Sequence, residues 1–439
     1  MIWNREAECA HPADRARLQL ARLGETVEWA RTRVPFHRER LGTSAITRLE
    51  DLTTLPFMRK SDLREHYPFG LFAVPQTDVA RIHGSSGTKG KPTIVGYTRD
   101  DLNVWSEVMA RTMVAAGCRP GDLLHVAFGY GLFTGGLGFH HGAERIGMTV
   151  VPASSGQTAR HGLLLHDFRP AGMCATPSFA LHVAEAMRAA GMAPDACGLR
   201  YAMFGAEPWT DGMRRALESA FGCPASDTYG LSEIIGPGVA GECEARDGLH
   251  VADDHFLAEI VDPASGEPLA PGRAGELVVT TLTKRALPMI RYRTGDLTAL
   301  VSGPCRCGRT SVRIERIRAR ADDMLIVRGV NLFPSEVEAT LLAIEDLAPH
   351  YRLIVDRREA LARLHVEVEP VAGVAGAGLE GLRDRVTARL RDTLGLAVHV
   401  TLVPPGTIPR SEGKAVRVIE RSSGDILEAG TPPGRNDTP

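Results

Sequence analysis

The chain has almost no net charge. Its 51 lysines and arginines stand against 53 aspartates and glutamates, a formal −2, so no global basic field points to nucleic acid. It has no apolar run of the roughly 18 residues that a membrane span requires. Its first residues, MIWNREAECAHPADR, are polar and charged, without the apolar core of a signal peptide. The expectation is a cytoplasmic enzyme with neither a nucleic-acid nor a membrane partner. No internal repeat is present, and no paired C-x-x-C. The eight cysteines of so large a chain are expected to be reduced or metal-bound rather than disulfide-bonded.

What is present begins with size. At 439 residues two or three domains are expected, and 44% hydrophobic residues are ample for their cores. Pro12 to Val34 reads as an amphipathic helix. From about residue 80 to 240 strands and helices alternate, as in Gly172–Thr176 followed by Ala180–Ala190, and Leu199–Phe204 followed by Thr210–Ala220. That alternation predicts an α/β fold with a largely parallel sheet, whose ligand loops lie at the carboxyl ends of its strands. Gly84–Gly90, Gly205-Ala206-Glu207 and Thr228–Glu233 are expected at such ends. Between His255 and about Leu300 two period-2 runs flank Gly/Pro turns, predicting a β-hairpin subdomain. After Asp322 the order helix (334–344), strands (351–355 and 364–369), helix (379–394), strand (397–403) predicts a small α+β domain. The division expected is 1–321, 322–421 and a disordered tail, 422–439.

The densest chemistry is His83-Gly84-Ser85-Ser86-Gly87-Thr88-Lys89-Gly90-Lys91-Pro92-Thr93. Hydroxyls, ammoniums and the backbone N–H groups of a glycine-rich turn are what a polyphosphate needs. The run is not a Walker A loop, because Pro92 follows Gly90-Lys91 and Ser85 stands where the first glycine belongs. It also lacks the G-x-G-x-x-G of a dinucleotide turn.

Four further stretches follow it in order: Asp227-Thr228-Tyr229-Gly230-Leu231-Ser232-Glu233, Arg291-Tyr292-Arg293-Thr294-Gly295-Asp296, Arg320-Ala321-Asp322-Asp323 and Pro409-Arg410-Ser411-Glu412-Gly413-Lys414. Together they resemble the core motifs of the adenylate-forming (acyl-CoA synthetase) superfamily. With GYGLFTGGLGFH (Gly129–His140), FGAEPWT (Phe204–Thr210), TTLTKRALPMIRYRTGDL (Thr280–Leu297) and DDMLIVRGVNLFP (Asp322–Pro334), the resemblance narrows to phenylacetate–CoA ligases and their aryl-acid relatives, over roughly residues 35 to 420. It implies a large N-terminal adenylation domain and a small mobile C-terminal domain. The activity implied is ATP-dependent conversion of an aromatic carboxylic acid to acyl-AMP, then a thioester with coenzyme A. Two other readings stay open: transfer to a carrier-protein phosphopantetheine, and a non-catalytic binding protein.

The chemistry requires two anions to meet in line, so their repulsion must be neutralised. Ser85, Ser86, Gly87, Thr88, Lys89, Gly90 and Lys91 are expected around the β/γ-phosphates. Glu233 resembles the Mg²⁺ ligand. Tyr229 offers a ring to adenine, with Gly205, Ala206 and Glu207 on the other side and Asp227, Gly230 and Ser232 completing the ATP site. Asp296 suits the ribose diol, because a carboxylate accepts two hydrogen bonds, and Arg320 matches the second ribose contact of the family. Lys414 matches the lysine that bridges carboxylate and α-phosphate, Asp322 the hinge, and Gly329 the glycine beside the pantetheine arm. Phe128, Tyr130, Phe133, Ile234 and Pro237 are the expected acid pocket. Phe128 stands where relatives often have tyrosine, Lys89 where they have threonine, and Ala319 where they have glycine. The resemblance also suggests a homodimer.

Cys243, His250, Cys305 and Cys307 form a separate set, Cys-x6-His followed by Cys-x-Cys. Thiolates and an imidazole suit four-coordinate structural Zn²⁺. His255 is an alternative to His250.

Overall fold

The computed structural model describes residues 1–43, 45–85, 92–328, 330–358, 362–411, 413 and 415–421, without the side chains of residues 322 and 377. Ser86–Lys91, Gly329, Lys414 and the tail 422–439 therefore lie outside the described residues. The chain forms two compact units, Met1–Asp322 with Arg410–Ala415, and Asp323–Pro409 with Val416–Pro439. The sequence motif around Lys414 thus belongs to the first unit.

A nine-stranded sheet organises that unit. Five strands, Thr149–Val151, Leu123–Val126, Gly172–Ala175, Tyr201–Gly205 and Ala225–Leu231, pair in parallel in that spatial order. The central pair Gly172–Ala175 and Tyr201–Gly205 is buried along its whole length and reads as short apolar runs because both faces are covered. Beyond Ala225–Leu231 the direction alternates through Gly236–Glu242, Leu249–Val251, Arg313–Ile314 and Leu300–Val301. The mixed α/β fold expected from the alternation is present, and the helices Pro177–Ala189 and Asp211–Phe221 follow their strands as predicted.

Local signals set the element ends. Thr98 caps the helix Arg99–Ala115 in a reciprocal box with Asp101. That helix and Gly135–Ile146 pack together over the sheet. The glycines of Gly135–Ile146 allow the approach: a Cβ at Gly138 would come within 2.6 Å of Pro237 and 2.9 Å of Trp105.

The glycine-serine run is placed differently from its expectation. Arg81–Ser85 and Thr93–Tyr97, the described residues flanking it, form their own antiparallel pair, so Gly84 and Ser85 do not end a strand of the parallel sheet. Thr228–Glu233 does lie at the carboxyl end of a parallel strand, Ala225–Leu231, with Thr228–Leu231 inside the strand and Ser232 and Glu233 in the turn after it. The predicted β subdomain is a four-stranded antiparallel sheet of Phe256–Val261, Gly275–Thr281, Tyr292–Thr298 and Ala319–Arg320.

The second unit has its own apolar core. Its four-stranded sheet runs His399–Leu402, Arg363–Pro370, Leu347–Asp356, Val418–Arg421, with helices Pro334–Leu341 and Ala377–Leu394. Val418–Arg421 pairs in parallel with Leu347–Asp356 and was not anticipated, because VIER is too short to show a period.

Candidate active site

Glu233 is the centre of the site. It follows the strand Ala225–Leu231 and is only 4% exposed. Its carboxylate accepts from Thr93 Oγ1 at 3.3 Å and lies 3.4 Å from Lys60 Nζ. Thr93 in turn hydrogen-bonds Ser85. Thr93, just after the glycine-serine run, thus reaches the carboxylate directly, and Ser85, just before the run, reaches it through Thr93.

Buried groups hold the Ser232–Ile235 turn. Tyr97 Oη donates to the Ile235 carbonyl at 3.1 Å and the Ser232 carbonyl at 3.3 Å. Ser232 Oγ lies 3.0 Å from Thr134 Oγ1, and Trp105 Nε1 donates to the Pro237 carbonyl at 2.9 Å. Tyr97 and Trp105 stack at 5.1 Å. Lys284 Nζ donates to the Glu233 carbonyl at 3.2 Å and lies 4.6 Å from the Tyr97 ring centroid. Burial pulls the Lys284 ammonium down to about 8, opposed by Asp101 and Glu233. Gly230 admits no side chain, because a Cβ would sit 1.9 Å from the Gly236 carbonyl oxygen across the bulged pair.

A second cluster joins Tyr229, Asp296 and Arg320. Tyr229 Oη donates to Asp296 Oδ2 at 2.6 Å, and Arg320 Nη1 donates to Asp296 Oδ1 at 2.9 Å. Asp296 faces Arg320 in register between neighbouring strands. Burial, then the Asp296 carboxylate, raises the Tyr229 hydroxyl well above its usual range, so it stays a donor. Asp227 is engaged elsewhere: its carboxylate takes Arg316 Nε at 3.1 Å, and Arg316 also binds Asp211.

Glu207 bridges two segments. One carboxylate oxygen accepts from Ser178 N at 2.7 Å and Ser178 Oγ at 2.6 Å, and the other from Ala415 N at 2.9 Å. Thr176 Oγ1 donates to the Gly413 carbonyl at 2.8 Å, and Arg410 pairs with Glu185 at 3.0 Å. Residues on either side of Lys414 are thus seated on the start of the helix Pro177–Ala189. Ala206, immediately before Glu207, has φ +69, a left-handed conformation that non-glycine residues rarely adopt. Gly205 is forced, since a Cβ would meet the Thr228 carbonyl oxygen at 2.3 Å.

The aromatic group divides by depth. Phe128 is 3% exposed and stacks on Phe139 at 5.3 Å with the rings 9° apart. Phe133, its ring centroid 6.5 Å from that of Phe128, is 40% exposed, and Tyr130 is half-buried. Tyr130 Oη lies 3.2 Å from His140 Nδ1. Ile234 is fully buried and Pro237 partly exposed. Asp322 lies in the short 3-10 turn Ala321–Asp323 where the first unit gives way to the second.

Cys243, His250, Cys305 and Cys307 come together, with their ligand atoms all within 4.8 Å of one another. His255 is turned away from them, bound to Thr283 at 2.8 Å and Asp254 at 3.2 Å. Burial holds His250 down at about 3, which leaves the imidazole neutral.

Sequence reading assigned no role to Lys60, Tyr97, Thr93 or Lys284. Thr93 and Lys284 lie within quoted motifs, where spacing alone does not say which side chain faces Glu233, and Tyr97 lies four residues beyond the first of them. Lys60 opens a short polar helix and carries no signal of its own.

Comparison with known proteins identifies the family. Residues 31–283 match the family described as AMP-binding enzyme, and residues 329–422 the AMP-binding enzyme C-terminal domain. The chain is 51% identical to the phenylacetate-coenzyme A ligase of Thermus thermophilus, covering 95% of this chain and 99% of that one. It is 48% identical to that of Escherichia coli, covering 92% and 94%. Among solved structures, a 2-hydroxyisobutyryl-CoA ligase with a bound acyl-adenylate aligns with a TM-score of 0.91 at 33% identity, covering 96% of this chain and 92% of that one. No described helix is long and apolar enough to cross a membrane. The chain belongs to the AMP-binding, adenylate-forming enzymes as a phenylacetate-coenzyme A ligase-like, AMP-forming acid–thiol ligase that uses ATP and coenzyme A.

Proposed function

We propose that the acid this ligase activates is aromatic, phenylacetate or a close arylacetate. A carboxylate oxygen of the acid attacks the α-phosphorus of ATP and pyrophosphate leaves. The thiol of coenzyme A then attacks the acyl carbon, giving the thioester, AMP and a proton. The observation that carries the aryl reading is the graded aromatic group: Phe128 stacked on Phe139 as a buried floor, with Phe133 and Tyr130 at its open side. A substrate ring on such a floor gains about 0.5–1.5 kcal/mol beyond burial. The relatives that are phenylacetate-coenzyme A ligases support the same choice.

Within this reading Glu233 holds Mg²⁺, which supplies charge neutralisation at the phosphates. The carboxylate suits it, being buried yet bonded only by a hydroxyl and one ammonium among the contacts above. Lys60 stands beside the same anions. Asp296 and Arg320 receive the ribose, with the Tyr229 ring oriented toward adenine by its bond to Asp296. Lys414 stabilises charge at the α-phosphate, and Asp322 is the hinge between the two half-reactions. A structural Zn²⁺ at Cys243, His250, Cys305 and Cys307 completes the holoenzyme.

Pyrophosphate exchange with a panel of aryl, branched aliphatic and straight-chain acids tests the assignment. Phenylacetate is expected to give the highest kcat/KM. Background exchange with every aryl acid, beside turnover of an aliphatic one, would remove the aromatic assignment and leave the ligase chemistry standing.

A further inference from the structure

The Cys243, His250, Cys305 and Cys307 cluster is not part of the ATP or acid site, and its geometry says what it holds. Cys243 Sγ and Cys305 Sγ are 3.7 Å apart, and Cys307 Sγ and His250 Nε2 are 3.3 Å apart. Ligands about 2.3 Å (sulfur) and about 2.0 Å (nitrogen) from a tetrahedral Zn²⁺ stand roughly 3.5–3.8 Å from one another. A disulfide would need sulfurs about 2 Å apart. The free ring nitrogen, His250 Nδ1, lies 3.0 Å from Ser311 Oγ, a partner of the kind that fixes the orientation of a metal-bound imidazole.

What the cluster organises is the loop between the strands Leu300–Val301 and Arg313–Ile314. Cys305 and Cys307 lie in that loop, while Cys243 and His250 come from the end of Gly236–Glu242 and from Leu249–Val251. The residues just after Cys307 receive the start of the chain. Thr310 N donates to the Glu8 carbonyl at 2.9 Å, and Thr310 Oγ1 to the Ala10 carbonyl at 2.7 Å. Arg309 pairs with the Glu8 carboxylate and donates to the Met1 carbonyl at 2.8 Å. Arg15 donates to the Thr310 carbonyl at 2.6 Å, and Cys9 Sγ to the Gly308 carbonyl at 3.3 Å. Glu8, Arg15 and Arg309 are all buried. Few apolar side chains stand at this junction: the nearby buried cluster is Ala115, Cys243 and Cys305. A loop of such composition does not fix its own shape by burial.

The geometry points to a zinc clasp that fixes the Cys305–Thr310 loop as the docking platform for the N-terminal segment Met1–Arg15. The inference rests on the zinc assignment made above and is independent of the acid substrate. From that anchor the helix Pro12–Arg33 continues across the unit, with Gln19 donating to the Asp253 carbonyl, Thr26 to the Leu282 carbonyl and Trp29 to the Arg285 carbonyl. The last two contacts flank Lys284, whose ammonium donates to the Glu233 carbonyl, so the clasp fixes one end of a helix whose later turns bond the backbone on both sides of that lysine.

Metal content of the full-length protein, combined with limited trypsin digestion followed by intact mass, tests both parts. One zinc per chain is expected in protein expressed with zinc, and its absence would overturn the assignment. Cobalt substitution reads the ligands without mutation: a thiolate-to-cobalt charge-transfer band is expected, and a spectrum without one would equally remove the cysteines as ligands. Stripping the metal is expected to speed cleavage at or before Arg17 by about tenfold, as local opening of the docked segment becomes cheaper. The Cys305→Ser/Cys307→Ser double variant is expected to lose the zinc and show the same cleavage. Zinc that leaves with no change in N-terminal cleavage would overturn the docking role while leaving the metal site intact.

Discussion

Glu207 looks in sequence like part of an ATP pocket, yet in the structure both of its oxygens are occupied. One takes the N–H and hydroxyl of Ser178, and the other takes Ala415 N. A carboxylate so engaged positions a segment more readily than it meets a polyanion. Glu207→Ala is therefore expected to lower kcat for adenylate formation about tenfold by loosening the segment that carries Lys414, with KM for ATP nearly unchanged. Pyrophosphate exchange reads the split, and a raised KM with kcat intact would return Glu207 to the nucleotide site. Lys414→Ala, which removes the proposed cation itself, is expected to cost more, about 10²–10³ in the same assay. Thioester formation from supplied acyl-adenylate should fall far less, and equal losses in both steps would deny Lys414 its role in adenylation. At this scale the sequence singled out Glu233 and Asp296 by motif, and the fold buries both carboxylates among polar partners. It was silent at Lys60, since a lysine opening a polar helix is ordinary surface until the fold brings it 3.4 Å from Glu233.

The turn after Ala225–Leu231 shows how elements hold the site. Lys284 is buried under it, hydrogen-bonded to the Glu233 carbonyl, with its ammonium depressed from 10.5 to about 8 chiefly by burial. Its folded-state pKa lies below the unfolded one, so the unfolded chain binds more protons between those values and stability rises with pH across that window. Below about pH 8 the full cost of burying the charge is present; above about pH 10.5 it is gone. Lys284→Met is expected to be more stable than its parent near pH 7, and that advantage should shrink by about 3 kcal/mol between about pH 8 and 10.5. Denaturant titrations of the two proteins across this range check it, and parallel pH profiles would show that the ammonium is not depressed. Strand and helix alternation announced the parallel half of the sheet, because apolar runs between turn residues carry that pattern. The hairpin around the glycine-serine run was misplaced for a physical reason. Antiparallel pairing of Arg81–Ser85 with Thr93–Tyr97 depends on long-range contacts such as Gly84 N to the Leu132 carbonyl, which local periodicity does not encode.

At the scale of the whole molecule, the family motifs made the fold class and the order of the two half-reactions legible in the sequence. Neither chain order nor composition announced that Arg410–Ala415 belongs to the first unit while the strands on both sides of it belong to the second. The two units exchange at Asp322–Asp323, and the hinge proposed there predicts that the two half-reactions separate by experiment. Proline fixes φ near −65° and removes an N–H donor, so a residue whose backbone dihedrals must change between steps cannot tolerate it. Asp322→Pro is expected to keep single-turnover acyl-adenylate formation within a few-fold of the parent, about 1 kcal/mol at most, while slowing coenzyme A-dependent AMP release by about tenfold or more. Rapid quench with radiolabelled acid separates the two rates. If Asp322→Pro slows both steps alike, the residue supports the folded site rather than a change between steps. If it slows neither, the pivot lies elsewhere in the Ala321–Asp323 turn or beyond it, and Asp322 loses its role as hinge.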